Sequence, residues 1–442
     1  MLSRSMTRIL PLILLTNHSG CGREVVETDI REIKPASLED LQNVEPVSIA
    51  DNDWPWWRGP ERNGIAPAQN VPTEWDESTN VIWKTDVPGR GHSSPTIVGS
   101  QIFLATALED KQVQSVVSFD RETGDQLWKT DLHTGNFPAS NQMHKKSSHA
   151  SCTLASDGQR VFVAFLNGGK IHATSLDFEG NKLWQTELGG FSPKFGYAPS
   201  PVIHEGLVIF AADNEGGGYL AGLNRENGEI VWRTKRPAVA TYASPVVADV
   251  GGRSQLLICG GNTIKGYDPL RGEELWSVDG TAEGTVGTMV WENDLVVASG
   301  GYPQQETVCV DASTGDVVWR ASDHLYVPSL LAHAGHVYGV NDDGIAICWD
   351  IADGKQRWKS RLGGKYSSSP ALVGENIFMS DENGTTSVFK ANPAKFELVS
   401  KNQLGNQFFA SPSIVGNRIY LRGAHGDGSS RQEVLYCIGF GS

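Results

Sequence analysis

"CVDASTGDVVW" (Cys309–Trp319) is an apolar run closed by an acid, a Thr-Gly turn, and a tryptophan four residues after the glycine. The chain writes this phrase repeatedly: "FDRETGDQLW" (Phe119–Trp128), "LDFEGNKLW" (Leu176–Trp184), "LNRENGEIVW" (Leu223–Trp232), "YDPLRGEELW" (Tyr267–Trp276) and "WDIADGKQRW" (Trp349–Trp358). With Trp83 included, the tryptophans Trp83, Trp128, Trp184, Trp232, Trp276, Trp319 and Trp358 are spaced by 45, 56, 48, 44, 43 and 39 residues. A further 40 residues reaches Leu398 in "AKFELVSK", read as a degenerate eighth copy. A fixed period of this length marks a repeat architecture before any other feature is weighed.

A second phrase recurs out of step with the first. It runs "SSPTIVGSQIFLA" from Ser93, "APSPVIHEGLVIFAA" from Ala198, "SSSPALVGENIFMSD" from Ser367 and "ASPSIVGNRIYLRG" from Ala410, with looser copies between. Each holds two apolar runs parted by a turn, the pattern of a β-hairpin. The tryptophan phrase adds two more strands around a tight turn, where Asp bonds its own backbone and Gly accepts positive φ. Asp120, Asp177, Asp268, Asp311 and Asp350 are therefore expected to be turn formers rather than catalytic acids. Four short strands every 40–45 residues is the arithmetic of a propeller blade. The expected fold is all-β: an eight-bladed β-propeller of four-stranded antiparallel blades over residues 81–442.

The last unit ends after its third strand, "VLYCIG" (Val434–Gly439), and "VIWKTDV" (Val81–Val87) precedes the first hairpin without one of its own. The N-terminal strand is expected to complete the C-terminal blade, which leaves no open edge in the ring. The seven tryptophans are expected to be structural, each burying a flat indole between neighbouring blades.

Outside the repeat, the sequence divides into three parts. Residues 1–21 read as a signal peptide: Arg4 and Arg8 precede the short apolar run Ile9–Leu15, and small residues follow. "SGC" ending at Cys21 resembles a bacterial lipoprotein cleavage site, although His18 departs from its usual aliphatic residue. Lipidation at Cys21 and plain secretion both remain open, and either gives an extracytoplasmic location at the periplasm or cell surface. Residues 22–50 read as a flexible tether. Residues 51–80, with Trp54, Trp56, Trp57 and Trp75, read as a Trp-rich segment packed on the outside or underside of the propeller. A net charge of −14 argues against nucleic acid as a partner. Cys152, Cys259, Cys309, Cys348 and Cys437 lack any metal-ligand or redox spacing and read as buried single thiols.

The tryptophan phrase resembles the docking motif of the pyrroloquinoline-quinone (PQQ) repeat propellers, and the resemblance runs over residues 81–439. One branch of that superfamily, the quinoprotein dehydrogenases, holds PQQ and calcium in the central funnel beneath a vicinal disulfide. This chain has no adjacent cysteines, and no set of Glu, Asn and Asp ligands can be matched to that branch. The other branch is non-enzymatic and includes the propeller lipoprotein of the outer-membrane β-barrel assembly machinery, whose layout of signal, tether and propeller this chain shares. The resemblance thus implies a non-catalytic binding or scaffold propeller with no cofactor. A PQQ- and calcium-binding oxidoreductase is the alternative.

A census by repeat suggests where a ligand could bind. Just before each inner strand stand His92, His149, Tyr197, Tyr242, Val286, Tyr326, Tyr366 and Phe409. Flat side chains at that place would line a funnel. The same loops carry Arg90, Lys145, Lys146, Lys194, Lys235, Arg236 and Lys365 against few acids. Converging cations suit an acidic peptide, an anionic glycan or an envelope protein. The longest loop, His133–Cys152, holds His144 and His149, which lack a third metal ligand and are read as contact residues. A monomer is expected.

Overall fold

The computed structural model describes residues 25–67 and 69–441. The expected signal peptide and Cys21 lie outside the described residues. Eight four-stranded antiparallel sheets form the ring. Blades 1 to 7 take their strands in chain order over residues 96–134, 155–190, 202–236, 246–279, 290–321, 331–361 and 371–403. In every blade the first strand is innermost.

Blade 8 closes as the sequence implies. Its inner strands are Ser413–Val415, Arg418–His425 and Gln432–Ile438, and its outer strand is Val81–Val87. Trp83 pairs with Cys437 and Asp86 with Val434 in antiparallel register. The same blade is tied to blade 1 by the buried Arg422. It pairs with Glu433 at 3.0 Å and donates to Ser93 Oγ (2.8 Å) and the Ala105 carbonyl (2.7 Å).

The docking tryptophans bridge blades, and the glycine each one covers belongs to the following blade. Trp83 lies on Gly124, Trp128 on Gly180, Trp184 on Gly228 and Trp232 on Gly272. At Gly272 (φ +67°) a Cβ would come within 2.4 Å of the Trp232 ring, so only glycine fits there. In Trp128, Trp184, Trp232, Trp319 and Trp358 the indole N–H donates to a backbone carbonyl of the next blade's turn, as from Trp232 to Pro269 (3.2 Å) and from Trp319 to Ile351 (2.7 Å). Two residues on, a threonine hydroxyl donates to the covered glycine: Thr130 to Gly180, Thr186 to Gly228 and Thr234 to Gly272, each at 2.7 Å. The turn acids act as expected, Asp120 Oδ1 accepting the N–H groups of Glu122 and Thr123 at 2.8 Å.

Two expectations are corrected. Leu398 is not the eighth docking position. Trp358 faces Cys348 and Trp319 faces Cys309, each just after a bulge, and the residue so placed in blade 7 is Ser400, opposite Val388. The turn of blade 7 is longer, which shifts the alignment by two residues. The tether is also corrected over residues 28–48, which run along the flank of the ring. Ile33 bridges to Arg233 on the outer edge of blade 3, Ser48 N–H donates to Asp157, and Ile30, Leu41 and Val44 are buried. This stretch has no periodicity because it follows a surface instead of forming an element.

Of the two placements expected for the Trp-rich segment, outside or underside, residues 54–66 lie across the lower end of the central channel. Trp54 exchanges backbone hydrogen bonds with Ile97 of blade 1, and the Pro55 carbonyl accepts Ser156 N–H of blade 2. Arg62 donates to Ile203 of blade 3 (2.9 Å), and Arg58 to Leu330 of blade 6 (2.6 Å). Ile65 bridges to Leu372 of blade 7. Gly and Pro within "WPWWRGPERNG" keep the backbone irregular, so its polar groups are free to meet the inner strands one by one.

Candidate functional site

Above this plug the channel opens as a blind cup of about 490 Å³, with Trp57 on its lining. The Trp57 indole donates to Thr288 Oγ1 at 2.8 Å, which fixes the ring across the axis. Around that level runs a circle of hydroxyls from the Ser-Pro position of the second sequence phrase. In seven of the eight blades the backbone N–H at this position donates to the hydroxyl of the next blade: Ser94 to Thr153, Thr153 to Ser200, Ser200 to Ser244, Thr288 to Ser329, Ser329 to Ser369, Ser369 to Ser411 and Ser411 to Ser94. These seven bonds measure 2.7–3.0 Å. Proline after five of these residues holds them extended, so N–H and side chain both point around the ring.

The wall above is aromatic. His92 stacks on Phe409 (ring centroids 4.4 Å apart), and Phe195 lies between His144 (5.3 Å) and Tyr242 (6.3 Å). Tyr326 sits beside Tyr302 at 6.5 Å. His92, Tyr242, Val286, Tyr326 and Phe409 of the census thus do meet at one cup. His144, Lys146, Ser147 and Ser151 bring the long loop to the same lining.

Other members of the census do not reach it. Tyr197 is buried within its blade and donates to the Ala211 carbonyl at 3.1 Å. Tyr366 is buried beside Ser387 (3.5 Å), and burial pushes its phenol up to about 12. His149 stacks on Phe137 at 4.2 Å, away from the cup. Tyr197 and Tyr366 turn their rings into the blade and His149 turns toward Phe137, and spacing alone does not distinguish these orientations from one facing the cup.

The basic mouth is corrected too. Arg90 faces Glu109 (3.8 Å), Lys146 pairs with Glu382 (2.6 Å), and Lys194 sits between Glu215 (3.3 Å) and Glu283 (3.8 Å). Lys365 pairs with Asp343, and Arg236 is buried against Asp213 at 2.8 Å. Lys145 and Lys235 are exposed. Except for Glu283, these acids stand on the loop between the second and third strands of a blade, a place the census did not count. Both loop sets converge on one face, so the cations arrive with their counter-charges.

Sequence reasoning missed Trp57, Phe195, Tyr302 and the hydroxyl circle. The signal for the circle was present, since Ser-Pro opens hairpin after hairpin. Trp57 gave none, because nothing local says that its segment enters the channel.

A family model described as outer membrane protein assembly factor BamB matches residues 67–132 and 112–360, well over half of the chain. The chain belongs to this family. Its sequence is 24% identical over 369 residues to outer membrane protein assembly factor BamB of Bordetella pertussis (strain Tohama I), spanning 78% of this chain and 83% of that protein. Among solved structures, BamB from Moraxella catarrhalis superposes with a TM-score of 0.59 at 17% identity, over 81% of this chain and 97% of that one. A europium-containing methanol dehydrogenase gives 0.61 at 11% identity, over 88% and 98%. At these identities the two structures establish the shared propeller only.

The residues present do not suit the quinone-and-calcium alternative. The cup lining holds no carboxylate, and no group of three or more His, Cys, Asp or Glu among the described residues is placed to hold a metal ion. Calcium takes six to eight oxygen ligands, carboxylates prominent among them. The five described cysteines are free and buried, and burial pushes the Cys152 thiol up to about 12. The donor set does not fit that pair.

Proposed function

We propose that this chain is a non-catalytic propeller of the cell envelope that works in outer-membrane protein assembly by holding another envelope protein. The observation that carries this reading is the family match over residues 67–360, together with a cup whose lining has no acid to serve a general-acid or nucleophile pair. Lipidation of Cys21 would tether it to a membrane. The rim supports recognition through aromatic area more than through net charge, because Phe195 and Tyr302 are exposed while Lys146 and Lys194 are neutralised by their partners.

The experiment is genetic and biochemical. Removing the gene should lower the amount of folded outer-membrane β-barrel proteins, and the full chain should restore it. Unchanged β-barrel levels would remove the assembly role. A Cys21→Ser chain should leave the membrane fraction, and a chain that stays there in high salt would remove the lipid anchor. A stoichiometric quinone absorbance band on adding PQQ and calcium would restore the oxidoreductase reading.

A further inference from the structure

The hydroxyl circle has a property that its blade-linking role leaves unused. Every linked Oγ accepts a backbone N–H from one side. None of Ser94, Thr153, Ser200, Ser244, Ser329 or Ser369 donates its own proton to any acceptor among the described residues. All six line the cup and are 2–7% exposed. An oxygen that accepts on its flank is fixed in place, and its O–H is left to turn toward the cup above Trp57. Accepting a hydrogen bond also makes a hydroxyl a better donor. Several O–H donors facing one cavity favour an anionic acceptor, since charge-assisted hydrogen bonds are roughly twice as strong as neutral ones.

Two independent features add to this. Arg58, adjacent to the floor residue Trp57, is 4% exposed, and its Nε and Nη1 have no hydrogen-bond partner. It has no carboxylate partner among the described residues. It meets only the carbonyls of Asn63 and Leu330, and burial pushes it down to about 9, so it still carries its charge at neutral pH. That is an uncompensated cation at the plug. On the wall, His92 Nε2 is buried and without a partner. Burial, with Arg90, Arg431 and Arg422 nearby, holds its imidazole well below its ordinary value and hence neutral. Above the circle the cup is wide, apolar and walled by Phe195, Tyr242 and the His92–Phe409 stack.

We infer that the cup is a binding site for a carboxylate carried on a flat ring, with the carboxylate on the hydroxyl circle and the ring against the aromatic wall. Two sources present that chemistry: a free aromatic acid, and the C-terminal aromatic residue of a peptide. The volume suits either, since pockets of about 300–1,000 Å³ take small organic ligands. The inference rests on the cup alone and stands or falls independently of the assembly role.

The test is calorimetric titration of the full chain with N-acetyl-L-phenylalanine and, separately, with its amide, which keeps the ring and removes the charge. The acid should bind at least ~10-fold more tightly than the amide, the loss expected for one charge-assisted contact. The tripeptide Gly-Gly-Phe separates the sources: binding equal to that of the free acid assigns peptide ends, and exclusion assigns small acids. Replacing inward hydroxyls by Ser244→Ala with Ser329→Ala should weaken the acid ~10-fold and leave the amide unchanged. Lys194→Gln, at a neutralised rim pair, should change the acid less than ~3-fold. The inference is overturned if acid and amide bind equally, if neither binds, or if the folded double-Ala chain holds the acid as before. Should that variant fail to fold, the acid-to-amide ratio on the unaltered chain still decides.

Discussion

The junction between blades 6 and 7 and the junction between blades 7 and 8 do one job with different parts. At the first, Trp358 stands 6.2 Å from Tyr338 of its own blade, and its N–H reaches the Asn392 carbonyl of the next blade at 2.8 Å. At the second, the register gives that place to Ser400, which is too small to fill it. Trp75 arrives from the N-terminal segment instead, stacked 6.1 Å from Phe378, the counterpart of Tyr338. Ser400 donates to the Thr73 carbonyl, and Asn402 accepts the backbone N–H of Trp75 (3.0 Å) and donates to Thr73 (2.9 Å). The reason is the ring closure. A docking tryptophan needs a turn in the next blade to lie on. In blade 8 the third and fourth strands come from opposite ends of the chain, meeting where Gly439 N–H bonds the Asn80 carbonyl at 2.9 Å. With no turn to cover, the repeat omits its tryptophan and residues 69–80 supply the indole.

The harshest way to break this comparison is truncation. Removing residues 1–50 should cost the flank contacts and leave a cooperative fold. Removing residues 1–80 should open the 7/8 junction and the channel floor while keeping the closing strand. Removing residues 1–90 should abolish the cooperative transition, because Gln432–Ile438 then becomes an open, apolar edge. Melting curves of the three chains check this order, and equal curves for the first and last would refute closure by the N-terminal strand.

Next come the two indoles themselves. Trp75→Ala and Trp358→Ala should each cost about 3–5 kcal/mol in urea denaturation, the usual loss for a buried aromatic. The sharper part concerns rescue. Ser400→Trp should not restore Trp75→Ala, since the turn that would receive the new ring does not exist. Full recovery would show that blade 8 can accept an ordinary docking tryptophan and that Trp75 is a convenience.

How far this was legible in the sequence follows from where the information sits. Blade number, strand order and closure are written in local phrases: Asp-x-x-Thr-Gly-x-x-x-Trp sets a turn and a docked ring within a dozen residues. Trp57 and Trp75 act through contacts more than 200 residues away in sequence, with Thr288 and Asn402. No spacing rule reaches that far, so their segment reads only as a cluster of tryptophans. The mouth was half legible for a different reason. The loops before the inner strands were counted, and the acids that neutralise them stand mainly on the other loops of the same face.

A third test compares the polar supports of the two kinds of junction. Thr234 gives its glycine turn one hydrogen bond, whereas Asn402 gives the Thr73–Trp75 stretch two. Thr234→Val should cost about 0.5–1.5 kcal/mol, one buried bond. Asn402→Ala should cost about 1–3 kcal/mol, since it leaves the buried Trp75 N–H unmatched and takes one of two donors from the Thr73 carbonyl. Urea midpoints in the reverse order would mean that Trp75 is held by its ring alone.

The smallest effect expected is electrostatic, and it asks whether the closing strand is held by charge as well as by the ladder. Glu77 lies in the segment that carries Trp75, and Lys84 in the strand that completes blade 8, with 2.7 Å between their charged ends. His425 of blade 8 stands 3.7 Å from the same carboxylate. Partial burial acts to raise the Glu77 carboxyl, but the hydrogen bond and charge of Lys84, with His425, outweigh it and hold the group below its ordinary value. A carboxyl depressed in the folded chain stabilises above its unfolded value, and that contribution is lost as pH falls through the folded one. Both side chains remain about half exposed, so solvent screens the pair and its worth is about 0.2–1 kcal/mol. Glu77→Gln should therefore lower the urea midpoint slightly at pH 7 in dilute buffer. The difference from the unaltered chain should shrink as pH falls through the depressed Glu77 value, where the carboxyl becomes neutral, and shrink in about 1 M salt, where the Debye length is near 3 Å. A loss at pH 7 larger than that of Asn402→Ala would show that closure depends on this pair, with the charges ranking above the polar support of Trp75 instead of below it.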